Sequence, residues 1–210
     1  MLPLRYPALA NGKESTPMFI RKAKPEDLDQ ITRLEDICFL PQEAASRERM
    51  AARLACFPES FWLGFDGFMK LICFASGPVT VEPDLTDEMY ADPGFHNPKG
   101  EWQMIFNLCT DPEERGNGNA SLLLQRVIRE SKAKGRKGVV LTCKEKLVSF
   151  YERFGFTNEG ISCSKHGGAV WYQMRLVFDE EYHYEHMFDI SDDPDENKRN
   201  FEEAFWGSQH

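Results

Sequence analysis

Short apolar runs alternate with amphipathic stretches along this chain, and the alternation sets out its elements. Phe19-Ile20-Arg21-Lys22 reads as a first strand. Pro25-Glu26-Asp27 then opens a helix, since proline and acids suit a helix N-terminus. Leu28, Ile31, Leu34 and Cys38 recur at helical spacing and form its apolar face, and Pro41 ends it. Ser46, a good N-cap residue, starts a second helix that runs to about Cys56. Phe61 to Phe65 and Phe68 to Phe74 flank Asp66-Gly67, the pattern of a hairpin. Residues 77–100 are rich in Pro, Asp and Gly and read as an excursion over the surface. Met104 to Thr110 is the next strand, followed by a helix from about Asn119 to Lys134, a buried strand at Gly138–Thr142 and a short helix at Lys144–Phe154. Gly167-Gly168 divides two final strands, the second at Val170–Phe178. Strands and helices alternate, so the core is α/β with a mixed sheet.

Outside this pattern, residues 1–17 form a leader broken by Pro3, Pro7, Asn11-Gly12 and Pro17. Residues 179–210 form an acidic extension dominated at first by Asp, Glu and His, with a short helix at 198–205. The domain itself spans 18–178. No apolar run approaches the roughly 20 residues of a membrane span, and the first residues lack the apolar stretch of a signal peptide. A cytoplasmic protein without a membrane partner is expected. The net charge of −9 argues against nucleic acid as a partner, because phosphate binding needs a basic face. It is compatible with a cationic acceptor. Six cysteines stand singly, without a CxxC pair, which points to buried thiols rather than disulfides. His183 and His186 have helical spacing but no cysteine nearby, so no metal is expected.

Candidate chemistry centres on Arg115-Gly116-Asn117-Gly118-Asn119-Ala120, between a strand and a helix. Glycines there let backbone N–H groups approach an anion, and the helix N-terminus adds free donors and partial positive charge. That is a phosphate cradle. From the glycines alone, an ordinary strand-to-helix turn is an equal alternative. The loop is neither a Walker A loop, lacking Gly-Lys-Ser/Thr, nor a dinucleotide fingerprint, since several elements precede it and Ser121 holds the last glycine position.

The loop does fit the pattern Q/R-x-x-G-x-G/A of the GNAT acetyltransferases, with Arg115, Gly118 and Ala120 on the specified positions. Farther on, Leu141-Thr142-Cys143-Lys144-Glu145-Lys146-Leu147-Val148-Ser149-Phe150-Tyr151-Glu152-Arg153-Phe154-Gly155-Phe156 resembles the corresponding segment of the arylalkylamine (serotonin) N-acetyltransferases and their microbial relatives. The resemblance covers about Ile20 to Phe178. It implies an α/β GNAT fold: a mixed sheet of about six or seven strands, splayed at the acetyl-CoA site near Asn107–Leu108 and flanked by about four helices. It also implies acetyl-CoA as co-substrate. The pantetheine arm then lies along Leu108, Cys109 and Thr110, and the pyrophosphate on the backbone of Gly116, Asn117, Gly118, Asn119, Ala120 and Ser121 beside Arg115. Tyr151 corresponds to the general acid that protonates the departing thiolate. Packing among Phe150, Phe154 and Phe156 is the structural alternative for that tyrosine.

The chain departs from the family at the general base. Met104 and Phe106 replace the strand histidines of the animal enzymes. Strand alternation puts 104, 106 and 108 on one face, so the amine side is expected to be apolar. Glu43, in the loop between the first two helices, is the candidate base; the alternative is a carboxylate in the first turn of the second helix. Glu82 and Glu101 are weaker candidates. Trp171 and Phe39 fall where the family packs aromatic groups on an amine, and His166 sits in the last turn. The expected activity is transfer of acetyl to a primary amine of a small molecule, of arylalkylamine or polyamine type, by direct attack, in a monomer or homodimer. No base is paired in sequence with Cys109 or Cys143, which disfavours an acetyl-cysteine. A protein acetyltransferase and a non-catalytic acyl-CoA sensor are the alternatives.

Overall fold

The computed structural model describes residues 18–178. The leader, the acidic extension with the helix expected at 198–205, and the pair His183–His186 lie outside the described residues. Between them run nine strands and five helices, with short 3-10 turns at several joints. The strands are β1 (Phe19–Lys22), β2 (Phe61–Phe65), β3 (Leu71–Ser76), β4 (Val79–Thr80), β5 (Trp102–Ile105), β6 (Asn107–Thr110), β7 (Gly138–Cys143), β8 (Thr157–Ile161) and β9 (Tyr172–Val177). The helices are α1 (Leu28–Cys38), α2 (Arg47–Cys56), α3 (Asp87–Ala91), α4 (Asn119–Ala133) and α5 (Val148–Glu152).

Two sheets result. One has the order β1-β2-β3-β6, the other β4-β5-β7-β9-β8. All pairings are antiparallel except β5 with β7. The expected strand Met104–Thr110 is therefore two strands in two sheets, broken at Phe106. Ile105 still pairs with Leu141, whereas Asn107 pairs with Ser76 on β3. Past Ile105 the two sheets part, leaving a cleft between β6 and β7. The break also changes the expected facing of side chains. Met104 and Phe106 pack in one cluster with Leu85, Met89 and Val140, while Leu108 packs against the α4 side of the sheet. Period-two alternation holds only while a strand runs unbroken.

Each helix lies where its apolar stripe leads. Ile31, Leu34, Met50 and Leu54 of α1 and α2 bury against Leu63, Phe65 and Phe74 on one face. On the opposite face, Leu123, Leu124, Val127 and Ile128 of α4 meet Trp62, Ile72, Ile105 and Leu141, where Tyr151, Phe154 and Phe156 join them. Fully burying each such side chain contributes about 1.5–3 kcal/mol. Two details differ from the sequence pattern. Residues 66–70 form a longer loop in place of a two-residue Asp66-Gly67 turn. Asp66 accepts from the backbone N–H groups of Phe68 and Lys70, so one short polar side chain organises the whole reversal. Residues 77–100 also do more than cross the surface. They form β4 and α3, and Leu85 and Met89 are buried beneath them.

Candidate active site

The cleft between β6 and β7 opens into a cavity of about 530 Å³. Its floor is the parted strands, Ile105 to Thr110 on one side and Leu141 to Lys144 on the other. Gly116 and Ala120 border one end; Phe39, Glu43, Tyr90, His166 and Trp171 border the other.

At the first end the geometry belongs to the backbone. Gly116 and Gly118 have φ of 81° and 78°, a left-handed conformation that disfavours a side chain. A Cβ at Gly116 would meet nothing within 4 Å, so conformation, not crowding, places glycine there. Gly118 is the N-cap of α4, and no side chain caps that end. The first-turn N–H groups of a helix have no intrahelical carbonyl, so this terminus keeps donors for an anion. Asn117 and Asn119 turn away from it. Asn117 donates to a Glu114 carboxylate oxygen at 3.3 Å and Asn119 to the Glu114 carbonyl at 3.2 Å. Exposed Arg115 donates from Nε to the Thr110 carbonyl at 3.2 Å. These contacts shape the loop and leave backbone groups as its free surface. Ser121 lies in the first turn of α4. These residues suit the pyrophosphate of a coenzyme A group, and the edge of β6 suits its pantetheine arm.

Near the middle of the cavity, Tyr151 on α5 is 6% exposed and stands edge-on to Phe150 and Phe156. Burial raises its pKa above that of a free phenol, reinforced by the nearby Cys143 and Cys109 thiols. The phenol is thereby held in its protonated form, with an O–H available to donate. Both thiols are held protonated for the same physical reason. Burial pushes Cys143 up to about 12 and Cys109 well above its ordinary value.

The second end is assembled from side chains far apart in sequence. Both Glu43 carboxylate oxygens accept from Lys144 Nζ, at 2.7 and 2.9 Å. Glu43 stands three residues before Ser46, whose Oγ caps α2 at the Arg49 N–H, so it is not in the first turn of that helix. Its backbone carbonyl is 2.9 Å from His166 Nε2. The His166 ring stacks on Tyr90 at 4.7 Å, and its carbonyl accepts from Trp171 Nε1 at 2.8 Å. Tyr90 in turn packs on Phe106 and shares a hydrogen bond with Thr142 Oγ1 at 3.2 Å. A Cβ on Gly167, where φ is 61°, would strike Glu43 Cγ at 2.5 Å, so the 162–171 loop can sit on Glu43 only with glycine there. Three segments, 39–46, 87–91 and 162–171, thereby close over this end. Met104, expected at the amine side, is fully buried in the cluster with Leu85 and does not line the cavity, whereas Phe106 does.

Two buried charged residues of the cavity were not singled out in the sequence. Glu35 is 1% exposed on the inner face of α1. Asn107 Nδ2 donates to its carboxylate oxygens at 2.8 and 2.9 Å, and the Ala45 N–H donates at 3.1 Å. Burial raises its pKa to about 7, against hydrogen bonds from the Ala45 N–H and the Cys109 thiol that favour the charged form. One signal was available: Glu35 interrupts the apolar stripe Leu28, Ile31, Leu34, Cys38 at a position that helical periodicity turns inward. The other residue is Arg53, 4% exposed on α2. It donates to the Tyr90 carbonyl at 2.8 Å, lies over Phe106, and its buried Nε has no hydrogen-bond partner. Glu82 and Glu101 do not line the cavity. Among the described residues, no group of three or more His, Cys, Asp or Glu side chains could hold a metal ion, and no helix is long and apolar enough to cross a membrane.

Comparison with known proteins agrees with this geometry. Residues 94–178 match the acetyltransferase (GNAT) domain. A probable glucosamine 6-phosphate N-acetyltransferase of Oryza sativa subsp. japonica is 26% identical over 142 residues, covering 63% of this chain and 84% of the rice protein. The ribosomal-protein-S18-alanine N-acetyltransferase of Escherichia coli superposes with a TM-score of 0.59 at 17% identity, over 79% of this chain and 99% of that one. The GNAT-like decarboxylase GphF, in complex with isobutyryl-CoA, superposes with a TM-score of 0.62 at 20% identity, over 75% and 98%. The fold is the GNAT fold. Its bearers here differ in what they act on, so the fold leaves the acceptor to the side chains.

Proposed function

We propose that this chain, which carries a GNAT acetyltransferase domain, moves the acetyl group of acetyl-CoA to a primary amine of a small molecule by direct attack. One observation carries the reading: the cavity at the parting of the sheets joins a helix N-terminus lined with free backbone donors to an aromatic end that holds the buried Glu35 carboxylate. Coenzyme A fits the first end through Gly116, Gly118 and the start of α4. The thioester then lies in the cleft, where a backbone N–H can polarise its carbonyl. Tyr151, protonated because it is buried, supplies the proton for the leaving sulfur.

At the acceptor end, Phe39, Phe106, Tyr90 and Trp171 offer apolar and aromatic surface, and Glu35 offers a carboxylate, while Lys144 offsets the charge of Glu43. Such a wall suits a cationic amine with an apolar body. The likeness of residues 141–156 to arylalkylamine N-acetyltransferases supports an acceptor of that kind, or a polyamine. Direct attack is favoured over an acetyl-cysteine. Cys109 does have a partner that the sequence did not reveal, since its Sγ donates to Glu35 at 3.5 Å, but burial holds its thiol far from ionisation. A protein acceptor needs an open groove, and the contacts among Glu43, His166 and Tyr90 oppose one.

A second reading has its own observation. Buried Arg53, with its unpartnered Nε, suits an amine that also bears an anionic group. Thiol release with tryptamine, phenethylamine, spermidine, lysine and glucosamine 6-phosphate separates the two. The first reading expects turnover with the aromatic amines or spermidine, the second with lysine or the sugar phosphate. Acetylation of intact proteins but of no free amine overturns both. So does a stoichiometric acetyl-cysteine by mass spectrometry.

A further inference from the structure

We propose that Glu35, held by Asn107 and Ala45 at the start of β6 where the two sheets part, is the general base that takes the proton from the acceptor amine. The inference rests on the acetyltransfer reading above and gives it the base that the strand positions Met104 and Phe106 do not provide. It also displaces Glu43 from that role, because the Lys144 ammonium pairs with the Glu43 carboxylate and cancels its charge, whereas the hydrogen-bond donors on Glu35 are all neutral.

Position is the first argument. Glu35 borders the same cavity as Tyr151, and its partner Asn107 is the first residue of β6, where the sheets separate. Ser76 Oγ donates to Asn107 Oδ1 at 2.9 Å, which fixes the amide so that its NH₂ points at the carboxylate. The carboxylate is thus aimed by a chain of two residues from β3 and β6, with one N–H from the 39–46 loop. That is the orientation a proton acceptor needs.

Charge balance is the second. The groups facing Glu35 are the Cys109 thiol of β6, the Arg53 guanidinium of α2, and Asp36 and Cys38 of its own helix. Arg53 acts on it only through space and forms no ion pair with it. The carboxylate is consequently neither neutralised, as Glu43 is, nor free in water. Burial opposes its charge, the Ala45 N–H, Cys109 and Arg53 favour it, and the balance lies at about 7. A base with that affinity accepts a proton and returns it to solvent at neutral pH.

The proton account closes. An ammonium N–H proton passes to the Glu35 carboxylate, freeing the nitrogen lone pair to form the C–N bond at the thioester carbonyl. The C–S bond then breaks with its electron pair on sulfur, which takes the Tyr151 proton. The second nitrogen proton restores Tyr151, and Glu35 releases its proton to water.

The test compares full-length wild type, Glu35→Gln and Glu35→Asp, with acetyl-CoA and whichever amine the panel identifies, from about pH 5.5 to 9. Wild-type kcat/KM is expected to fall with unit slope below pH ~7. Glu35→Gln should lose about 100-fold at neutral pH, with acetyl-CoA affinity within about twofold of wild type. Its profile should lack the limb near 7 and climb steadily as free amine accumulates. Glu35→Asp should recover part of the activity and restore a limb. A purely structural role would lower activity at every pH and leave the limb in place, which overturns the proposal. Should Glu35→Gln fail to fold, carbon-13 NMR of the wild-type glutamate carboxyls decides. A midpoint near 7 that Asn107→Ala moves supports the base, and a midpoint below about 5 overturns it. If wild type acetylates no amine, the acetyltransfer reading fails and this proposal falls with it. An active Glu35→Gln with an unchanged profile removes Glu35 alone.

Discussion

At one end of the cavity the working groups are backbone atoms of a single stretch, residues 107–121. At the other they are side chains that meet from across the chain: Glu43 with Lys144, His166 with Glu43, Tyr90 with Thr142, Glu35 with Asn107. Under the proposed function, the difference follows from what each end holds. A pyrophosphate is recognised by N–H groups, which any residue carries, so glycine placement and a helix start suffice. An acceptor is recognised by shape and charge, which side chains supply and which several loops must converge to provide. The first kind of site is written in consecutive residues. The second exists only once the chain is folded.

Single substitutions bear on that contrast with graded force. The largest effect is expected at Tyr151, where the two ends meet. Tyr151→Phe should lower turnover by about 100-fold or more while leaving acetyl-CoA affinity unchanged, as isothermal titration would show. A fall in affinity of the same size would make Tyr151 a packing residue. Wild type that binds acetyl-CoA but turns over no amine would point to the sensor instead. Next comes Gly118→Val. A β-branched residue at φ 78° is strained, and loss of two hydrogen bonds to a charged phosphate weakens acetyl-CoA binding by roughly 100-fold. The KM for the amine should move little; if it rises as much, the two ends are not separable.

Lys144→Met probes the opposite end. It leaves the Glu43 carboxylate buried without its partner. Because Lys144 is about a third exposed, water screens part of the loss, and a cost of about 1–2 kcal/mol is expected rather than that of a fully buried pair. With the 39–46 loop loosened, the acceptor KM should rise about tenfold, the factor such an energy sets, and acetyl-CoA affinity should hold.

The smallest effect is on stability against pH. Glu35 is raised from 4.5 to about 7 in the folded protein, so the unfolded chain ionises first. Stability therefore declines as pH climbs from about 4.5 to about 7 and is level above. His96, lowered by burial, gives the opposite slope over part of that range. The difference in melting temperature between wild type and Glu35→Gln isolates the carboxyl. That difference should turn toward the variant across the window and then stop changing; a flat difference would mean Glu35 titrates in its usual range.

Much of this molecule was legible residue by residue. Apolar periodicity marks α1, α2 and α4 because each buries one face, and the short apolar run marks β7 because it is buried along nearly its whole length. Gly116, Gly118 and the start of α4 were legible because backbone conformation and helix ends are local properties. The break at Phe106 was not: a strand that changes sheets keeps an apolar pattern on both sides of the change. Nor was the loop at 66–70, where Asp66 side-chain hydrogen bonds override the Asp-Gly turn signal.

By itself, then, the sequence determined the α/β core and the glycine loop that opens α4, since propensity, periodicity and glycine conformation act over a few neighbouring residues. Only the tertiary structure decided that Glu43 is locked to Lys144, that α3 and the 162–171 loop close the acceptor end, and that Glu35 stands buried at the parting of the sheets. Burial and charge pairing are sums over groups distant in the chain, and no local pattern carries them.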